Sequence, residues 1–369
     1  MFSEISVENF RAFKKISLSD FKKVNLFVGN NNSGKTSLLE ALFLSINPVN
    51  SSLSAKINDF RRLNIVGESD SWNTLFHMLN VSEKVSITTT LKVPNEKRII
   101  EITPKFDIEV NGSAVYEKGE TLSGTTSSAS NLVGIKQDLT LIDLDKGKKK
   151  KNFHSYIKNK DINKQEIELG KPINPFDSEI DKSYEPSTNG RFLTPENFNK
   201  NPISELGKIL KAKRKNELLD ILRDLEPSLN DIAIIDNRVY CDLGFDEFVP
   251  AMIMGDGFLK ILSFVLSIMT IEKGILLIDE VENGLFYQNQ ELLWSYIFKA
   301  LKKNDVQIFA TTHSYDCIQA YISSYDPIEM EGDELRLYRI QKQEDGLFST
   351  TKYDHGELKI NMEKGWEIR

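Results

Sequence analysis

The chain has 369 residues, 40 % of them hydrophobic and 27 % charged, which is globular composition and excludes a wholly disordered or collagen-like protein. Its net charge of −7 excludes a protein that coats nucleic acid through bulk positive charge, so any phosphate-backbone contact must be local or brought by a partner. Two cysteines, Cys241 and Cys317, argue against a disulfide framework and fit a reducing cytoplasm. The N-terminus has neither the basic nor the apolar region of a secretory signal. The longest apolar runs, Ile275–Ile278 and Ile261–Met269, fall short of the roughly 20 residues that span a bilayer, so no membrane association is expected.

Short alternating runs open the chain: Ile5, Val7 and Phe10, then Ile16 and Leu18. Val24–Val28 is nearly all apolar and ends in Gly29, as a buried central strand does. After Gly34 the period changes, with Leu38, Leu39, Leu42, Phe43 and Ile46 at helical spacing and Pro48 closing the helix. These features define an N-terminal part, residues 1–84. The region 85–202 is sparser. Val85–Val93 and Ile99–Val110 alternate as strands, and Asn111-Gly112 is a turn dipeptide that predicts a hairpin. A Ser/Thr/Gly stretch (Leu122–Asn131) and a lysine-rich run (Lys146–Lys151) follow, so the region reads as an inserted, partly flexible segment outside the main core.

The C-terminal part, 203–369, begins with helices marked by Leu206, Ile209 and Leu210, then by Leu218, Leu219, Ile221, Leu222 and Leu225. Strand-like Ile232–Ile235 and Arg238–Cys241 precede a helix from about Phe258. The apolar strand Gly274–Asp279, a helix around Gln290–Leu301 and a last core strand, Val306–Ala310, complete the pattern. Strands alternating with helices predict an α/β fold with a mixed, mainly parallel sheet.

The chemistry concentrates at three strand ends. Gly29-Asn30-Asn31-Asn32-Ser33-Gly34-Lys35-Thr36 satisfies G-x-x-x-x-G-K-[ST] between an apolar strand and an apolar-periodic helix, which is the context of a P-loop NTPase. Its glycines let backbone amides turn toward a β-phosphate at a helix N-terminus. Lys35 reaches the β- and γ-phosphates, the Thr36 hydroxyl is a ligand for Mg²⁺, and Ser37 completes the nucleotide-binding set. Ile275-Leu276-Leu277-Ile278 runs into Asp279 and Glu280. Asp279 is placed to hold Mg²⁺ and Glu280 to polarise an attacking water, with Glu282 a rival for part of that role. His313, in Thr311-Thr312-His313-Ser314 after the next strand, can sense or stabilise a γ-phosphate. His77, His154 and His355 do not cluster, and no zinc spacing is present.

Together, Val7-Glu8-Asn9-Phe10-Arg11-Ala12-Phe13, Gly29–Thr36, Asp279–Tyr287 and Thr312-His313-Ser314 resemble the ABC-type ATPase heads of the RecF/SMC/OLD group. They come closest to the stand-alone bacterial AAA-family ATPases of anti-phage defence and restriction-linked operons. The resemblance covers roughly 1–84 and 190–369. It implies two heads that sandwich two ATP molecules, each phosphate loop completed by a signature loop of the other subunit. Met254-Gly255-Asp256-Gly257-Phe258 is the best match to that signature, with Gly255 where the family usually has serine. Arg11 resembles the N-terminal arginine that contacts nucleotide in such heads. Phe286 stands where related proteins often carry histidine, and the glutamine loop is not placed. The stretch after His313 is short for a Toprim domain, and 85–202 is not a heptad coiled coil, so the resemblance implies a separately encoded effector or nuclease as partner.

Two readings of function follow. One is a nucleotide-driven dimeric switch that regulates such an effector in anti-phage defence. The other is a RecF/SMC-like ATPase of DNA repair that contacts DNA through Lys146–Lys151 or Lys208–Lys215, although charge runs of this kind are usually solvated surface.

Overall fold

A computed structural model describes residues 1–63, 69–108, 130–159, 176–196, 202–271, 273–326, 330 and 332–365. Two sheets organise them. The first is parallel but for one edge strand: β3 (Val24–Val28), β9 (Asn189–Leu193), β13 (Lys273–Ile278), β14 (Asp305–Thr311) and β15 (Leu335–Lys342) run together, and β16 (Phe348–Tyr353) pairs antiparallel with β15. The order is β16-β15-β3-β14-β13-β9. The second sheet has seven antiparallel strands in the order β2-β1-β4-β5-β6-β7-β8. These are β1 (Phe2–Phe10), β2 (Phe13–Ser19), β4 (Val85–Leu91), β5 (Glu96–Ile108), β6 (Ser130–Asp143), β7 (Lys148–Asn159) and β8 (Phe176–Ile180).

The period-2 geometry of a strand sends alternate side chains to opposite faces, and here both faces of the parallel sheet are covered. Val24, Leu26, Leu276, Ile278, Ile308 and Ala310 point to one apolar cluster, while Phe27, Ile275, Leu277 and Phe309 point to the other. That is why these strands read as unbroken apolar runs. The first cluster packs the sheet against α3 (Pro202–Lys211), α4 (Lys215–Arg223), α5 (Asp256–Thr270), α6 (Tyr287–Lys303) and α7 (Tyr315–Ser323). The second holds α1 (Lys35–Ile46) between the two sheets, so that every α1 residue from Ser37 to Ile46 is buried. Each large apolar side chain buried there contributes about 1.5–3 kcal/mol of transfer free energy. A small sheet of β10 (Asp231–Ile235), β11 (Arg238–Asp242) and β12 (Val249–Pro250) flanks α5 through a short helical turn at Ala251–Met254.

The predicted strands and helices of the two outer parts are present, and α2 (Ser52–Phe60), β15, β16, α7 and α8 (His355–Glu363) join them. The described strands of the region 85–202 are not outside the core. Ile87, Ile100, Ile102, Ile135, Leu139 and Phe153 are buried in the second cluster, and β9 is a strand of the parallel sheet itself. The Asn111-Gly112 turn lies outside the described residues, although the antiparallel pairing of β5 with β6 that it predicts is present. Lys146–Lys151 spans the β6–β7 turn and the start of β7.

Candidate functional site

The sheet order places β14 between β3 and β13, which brings three carboxyl ends side by side. β3 leads into the phosphate loop, and two of its glycines hold conformations closed to other residues. Gly29 has φ +146°, and a Cβ there would lie 2.2 Å from the backbone oxygen of Ile340 on β15. Gly34 has φ +83° and forms the N-terminal boundary of α1; a Cβ on it would meet the Phe13 ring at 2.5 Å. The loop is thus wedged between β15 and the β1–β2 hairpin, with no room for a side chain at either point. Lys35 folds over it, donating from Nζ to the backbone oxygens of Gly29 (2.8 Å) and Asn30 (3.0 Å). Burial lowers its pKa, against the opposing charges of Asp279, Glu282 and Glu280.

Thr36, at the start of α1, donates its hydroxyl toward both carboxylate oxygens of Asp279, at 3.1 and 3.0 Å. Thr311 at the end of β14 donates to Asp279 Oδ1 (2.6 Å) and accepts the backbone N–H of Glu280 (2.8 Å). One hydroxyl therefore fixes both acids. Burial pushes Asp279 up to about 6, against the pull of the Thr311 and Thr36 hydroxyls, and the neighbouring charges of Glu280 and Glu40 add to the rise. Glu280 itself sits at φ +51°, opening a tight turn in which Asn283 N–H donates to Glu280 O at 3.0 Å. The Asn283 side-chain amide lies 3.3 Å from Glu280 Oε2.

Glu282 is turned away from the part of rival base. Its carboxylate is buried and engaged with His313, whose Nδ1 and backbone N–H both lie 2.9 Å from Oε1. His313 is half exposed and lines the same cavity as Asn31–Ser37, Asp279, Glu280 and Thr311. That cavity measures about 470 Å³. Asn30 and Gly29 border a second hollow of about 270 Å³ against Arg339–Lys342. Thr36 and Asp279 offer a hydroxyl and a carboxylate, the hard oxygen donors that Mg²⁺ takes, and a buried carboxylate held only by hydroxyls and an adjacent acid suits a divalent cation. Among the described residues no group of three or more His, Cys, Asp or Glu could hold a metal alone.

The structure does not bring Arg11 to this cavity. Its guanidinium is enclosed, 3.2 Å from Glu40 Oε2, and donates to Thr74 O and Asn58 Oδ1 at 3.0 and 2.8 Å. The reason is local: Arg11 lies in the β1–β2 turn at φ +52°, and although the next residue, Ala12, lines the cavity, the Arg11 side chain is taken up by Glu40, Asn58 and Thr74. The arginine on the cavity wall is Arg61, at the end of α2. Gly255 and Gly257 open α5 outside the cavity of their own chain; Gly255 has φ +89° and open space around it. A Cβ on Gly257 would lie 3.5 Å from Gly284 O, so the start of α5 abuts the turn that follows Glu280.

Sequence reasoning missed Thr311, Arg61, Glu40 and Lys260. Lys260 on α5 is buried and donates to the backbone oxygens of Glu280 (3.1 Å) and Asn283. Burial pushes it down to about 8, opposed by Glu282, Cys317 and Glu280. Glu40 and Lys260 each carried a signal, a single charge inside an apolar helical stripe; Arg61 carried none.

Residues 24–316 match the family described as AAA domain, putative AbiEii toxin, Type IV TA system. An ATP/GTP phosphatase of Helicobacter pylori is 25 % identical over 379 aligned residues, covering 96 % of both chains. The DNA replication and repair protein RecF of Idiomarina loihiensis shares 49 % identity over 45 residues, which is 12 % of this chain and 13 % of that protein. Among solved structures, an SmcHead bound to the C-winged helix domain of ScpA aligns over 96 % of this chain and 97 % of that one, with TM-score 0.49 and 12 % identity.

Proposed function

The chain belongs to the AAA domain family and is an ATPase, and on that premise we propose that it works as an ATP-driven dimeric switch regulating a separately encoded effector, of nuclease type, in defence against foreign DNA. The convergence of Thr36, Asp279, Thr311 and Glu280 at three adjacent strand ends carries the reading. The loop amides and Lys35 bind the phosphates. Thr36 and Asp279 would hold Mg²⁺, which on binding neutralises phosphate charge. Glu280, oriented by Thr311 and Asn283, polarises the attacking water, and His313, steadied by Glu282, faces the terminal phosphate.

Dimerisation is supported by what surrounds the start of α5. Gly255 and Gly257 present backbone amides outside their own cavity, and Met252, Ile253 and Phe286 are large apolar side chains 74 %, 71 % and 61 % exposed. A helix N-terminus offered outward can meet the terminal phosphate of a facing subunit. The free, buried cysteines fit a reducing cytoplasm, and no described helix is long and apolar enough to cross a membrane.

The test is Glu280→Gln in the full chain, followed by turnover and by size-exclusion chromatography with ATP. Loss of turnover with an ATP-dependent dimer is expected; wild-type turnover would remove Glu280 from the role of base. Co-purification of a stoichiometric effector with its operon neighbours tests the regulatory half. A direct DNA-binding role is the second reading, favoured by the short likeness to RecF and by Lys208, Lys211 and Lys213, which are exposed at the end of α3. In the same run, Arg214 and Lys215 are committed to Glu217 and Asp231. DNA-stimulated hydrolysis lost on neutralising the three exposed lysines would bring this reading forward.

A further inference from the structure

Glu40 lies in the middle of α1, and its side chain is only 1 % exposed. A carboxylate there is strongly unfavourable unless it is paired. Two guanidiniums answer it. Arg61 grips it side-on, with Nε 2.6 Å from Oε1 and Nη2 3.1 Å from Oε2. Arg11 approaches from behind, with Nε 3.2 Å from Oε2. The two arginines differ in what else they face. Arg11 is enclosed and spends its other donors on Thr74 and Asn58. Arg61 is 36 % exposed and stands on the wall of the phosphate-loop cavity, where Nη2 lies 3.4 Å from Ser37 Oγ.

The charges do not cancel. Two cations share one carboxylate, so the group keeps an excess positive charge, and only Arg61 has access to a ligand. Burial acts against the charge on both guanidiniums; Glu40 and, behind it, Asp279 together more than offset it for Arg61, whereas Arg11 stays below its ordinary range. Both remain cationic at neutral pH. Because Glu40 takes the Nε side of the fork, the Nη1 edge of Arg61 is left to donate elsewhere.

Resting on the reading that this cavity takes ATP, we propose that Glu40 and Arg11 are positioning residues that hold Arg61 as a contact for the nucleotide's polyphosphate. The cavity floor supplies a reason for one. Asp279 and Glu280 present two carboxylates to any polyphosphate entering, and Lys35, even with Mg²⁺ at Asp279, matches only part of the combined negative charge. A guanidinium fixed by a carboxylate at its back is ready to donate to phosphate without first losing rotamer freedom. Arg11 thus bears on nucleotide from one residue away, through Glu40.

The experiment is Mg-ATP binding by the full chain, measured by calorimetry for Arg61→Gln, Arg61→Lys, the pair Glu40→Gln with Arg11→Gln, and all three changes together. Arg61→Gln should weaken binding about ten- to a hundred-fold, the range for a lost charge-assisted bond, and Arg61→Lys should restore only part of it. The Glu40/Arg11 pair should weaken binding in the wild-type background and add nothing once Arg61 is gone, since its effect passes through that residue. If the pair does not fold, Glu40→Asp keeps the charge, withdraws it by one methylene and gives the same comparison. Equal ATP affinity for Arg61→Gln and wild type overturns the proposal, and so does an additive loss in the triple variant. Wild-type protein that binds no ATP refutes instead the nucleotide reading beneath it.

Discussion

Replacing Asp279 by asparagine should stabilise the nucleotide-free protein while abolishing turnover. Burial lifts this carboxyl from an ordinary 3.8 to about 6, a rise of about two pH units, or about 3 kcal/mol at 1.36 kcal/mol per unit. Because the folded pKa is the higher one, the folded state holds the proton more tightly. Stability from this group is full below pH 4 and is lost as pH rises through about 6, so the whole penalty stands at neutral pH. Asparagine removes the charge and keeps one acceptor for the Thr311 hydroxyl, while its amide can donate to Thr36 Oγ1, the atom that now lies 3.0 Å from Oδ2. Imperfect placement of that amide reduces the gain to about 1–3 kcal/mol. With about 2 cal/mol/K of unfolding entropy per residue, a chain of this size should melt on the order of 1–4 °C higher. The assay is thermal melting at pH 7.5 with and without Mg-ATP. Asp279→Asn should start above wild type and gain less from Mg-ATP. A variant that melts at or below wild type without nucleotide refutes the claim that Asp279 is held at a cost. The gap between the two proteins should also shrink at pH 5.

Thr311→Val keeps the shape but leaves the Glu280 N–H without its acceptor and Asp279 with the Thr36 hydroxyl as its remaining side-chain donor; a stability loss of about 1–3 kcal/mol and an alkaline shift of the lower limb of the pH–rate profile are expected, and an unchanged profile would separate Thr311 from Asp279. Gly34→Ala must hold a left-handed conformation, which costs about 1–2 kcal/mol, and must also displace the Phe13 ring; nucleotide affinity measured by calorimetry should fall with it, and wild-type affinity would show that the loop has room to adjust. Lys260→Met removes the donor that ties α5 to the Glu280–Asn283 turn. Turnover should fall about ten-fold or more with little change in ATP affinity, read as kcat against KM; a rise in KM alone would assign Lys260 to binding. Since the Lys260 pKa is depressed to about 8, its contribution to stability should grow as pH rises from 8 toward 10.5 and vanish in the variant.

The phosphate loop and carboxylate strand were legible because each is a local pattern: an apolar strand, glycines at fixed offsets, then a change of period at Gly34. The region 85–202 was harder for a physical reason. The central parallel strands β3, β13 and β14 are buried on both faces and read as mainly apolar runs, but β4 to β7 bury one face only, so apolar residues occupy alternate positions, as in Val85, Ile87 and Leu91. Half the apolar density resembles a loose insertion when it belongs to a large one-sided sheet. β9 was hidden further, having Phe192 and Leu193 as its buried residues and Asn189, Gly190 and Arg191 otherwise. Resemblance alone points Arg11 toward nucleotide; its partner Glu40 is 29 positions away and Arg61 another 21, so their pairing has no local trace. Thr311 ends an apolar strand as any polar residue could, and its link to Asp279 crosses 32 positions.

β3 stands between β14 and β15, and Gln307 exchanges hydrogen bonds with the backbone of Phe2 at 2.8 Å in each direction. The first strand of the nucleotide site therefore has no neighbour in its sheet until residues beyond 305 have been made. On the ribosome, the phosphate loop emerges early and waits for most of translation, during which it cannot be closed against Asp279 or roofed by β15. Chains terminated before Asp279 carry the loop yet lack the acids that would let it work.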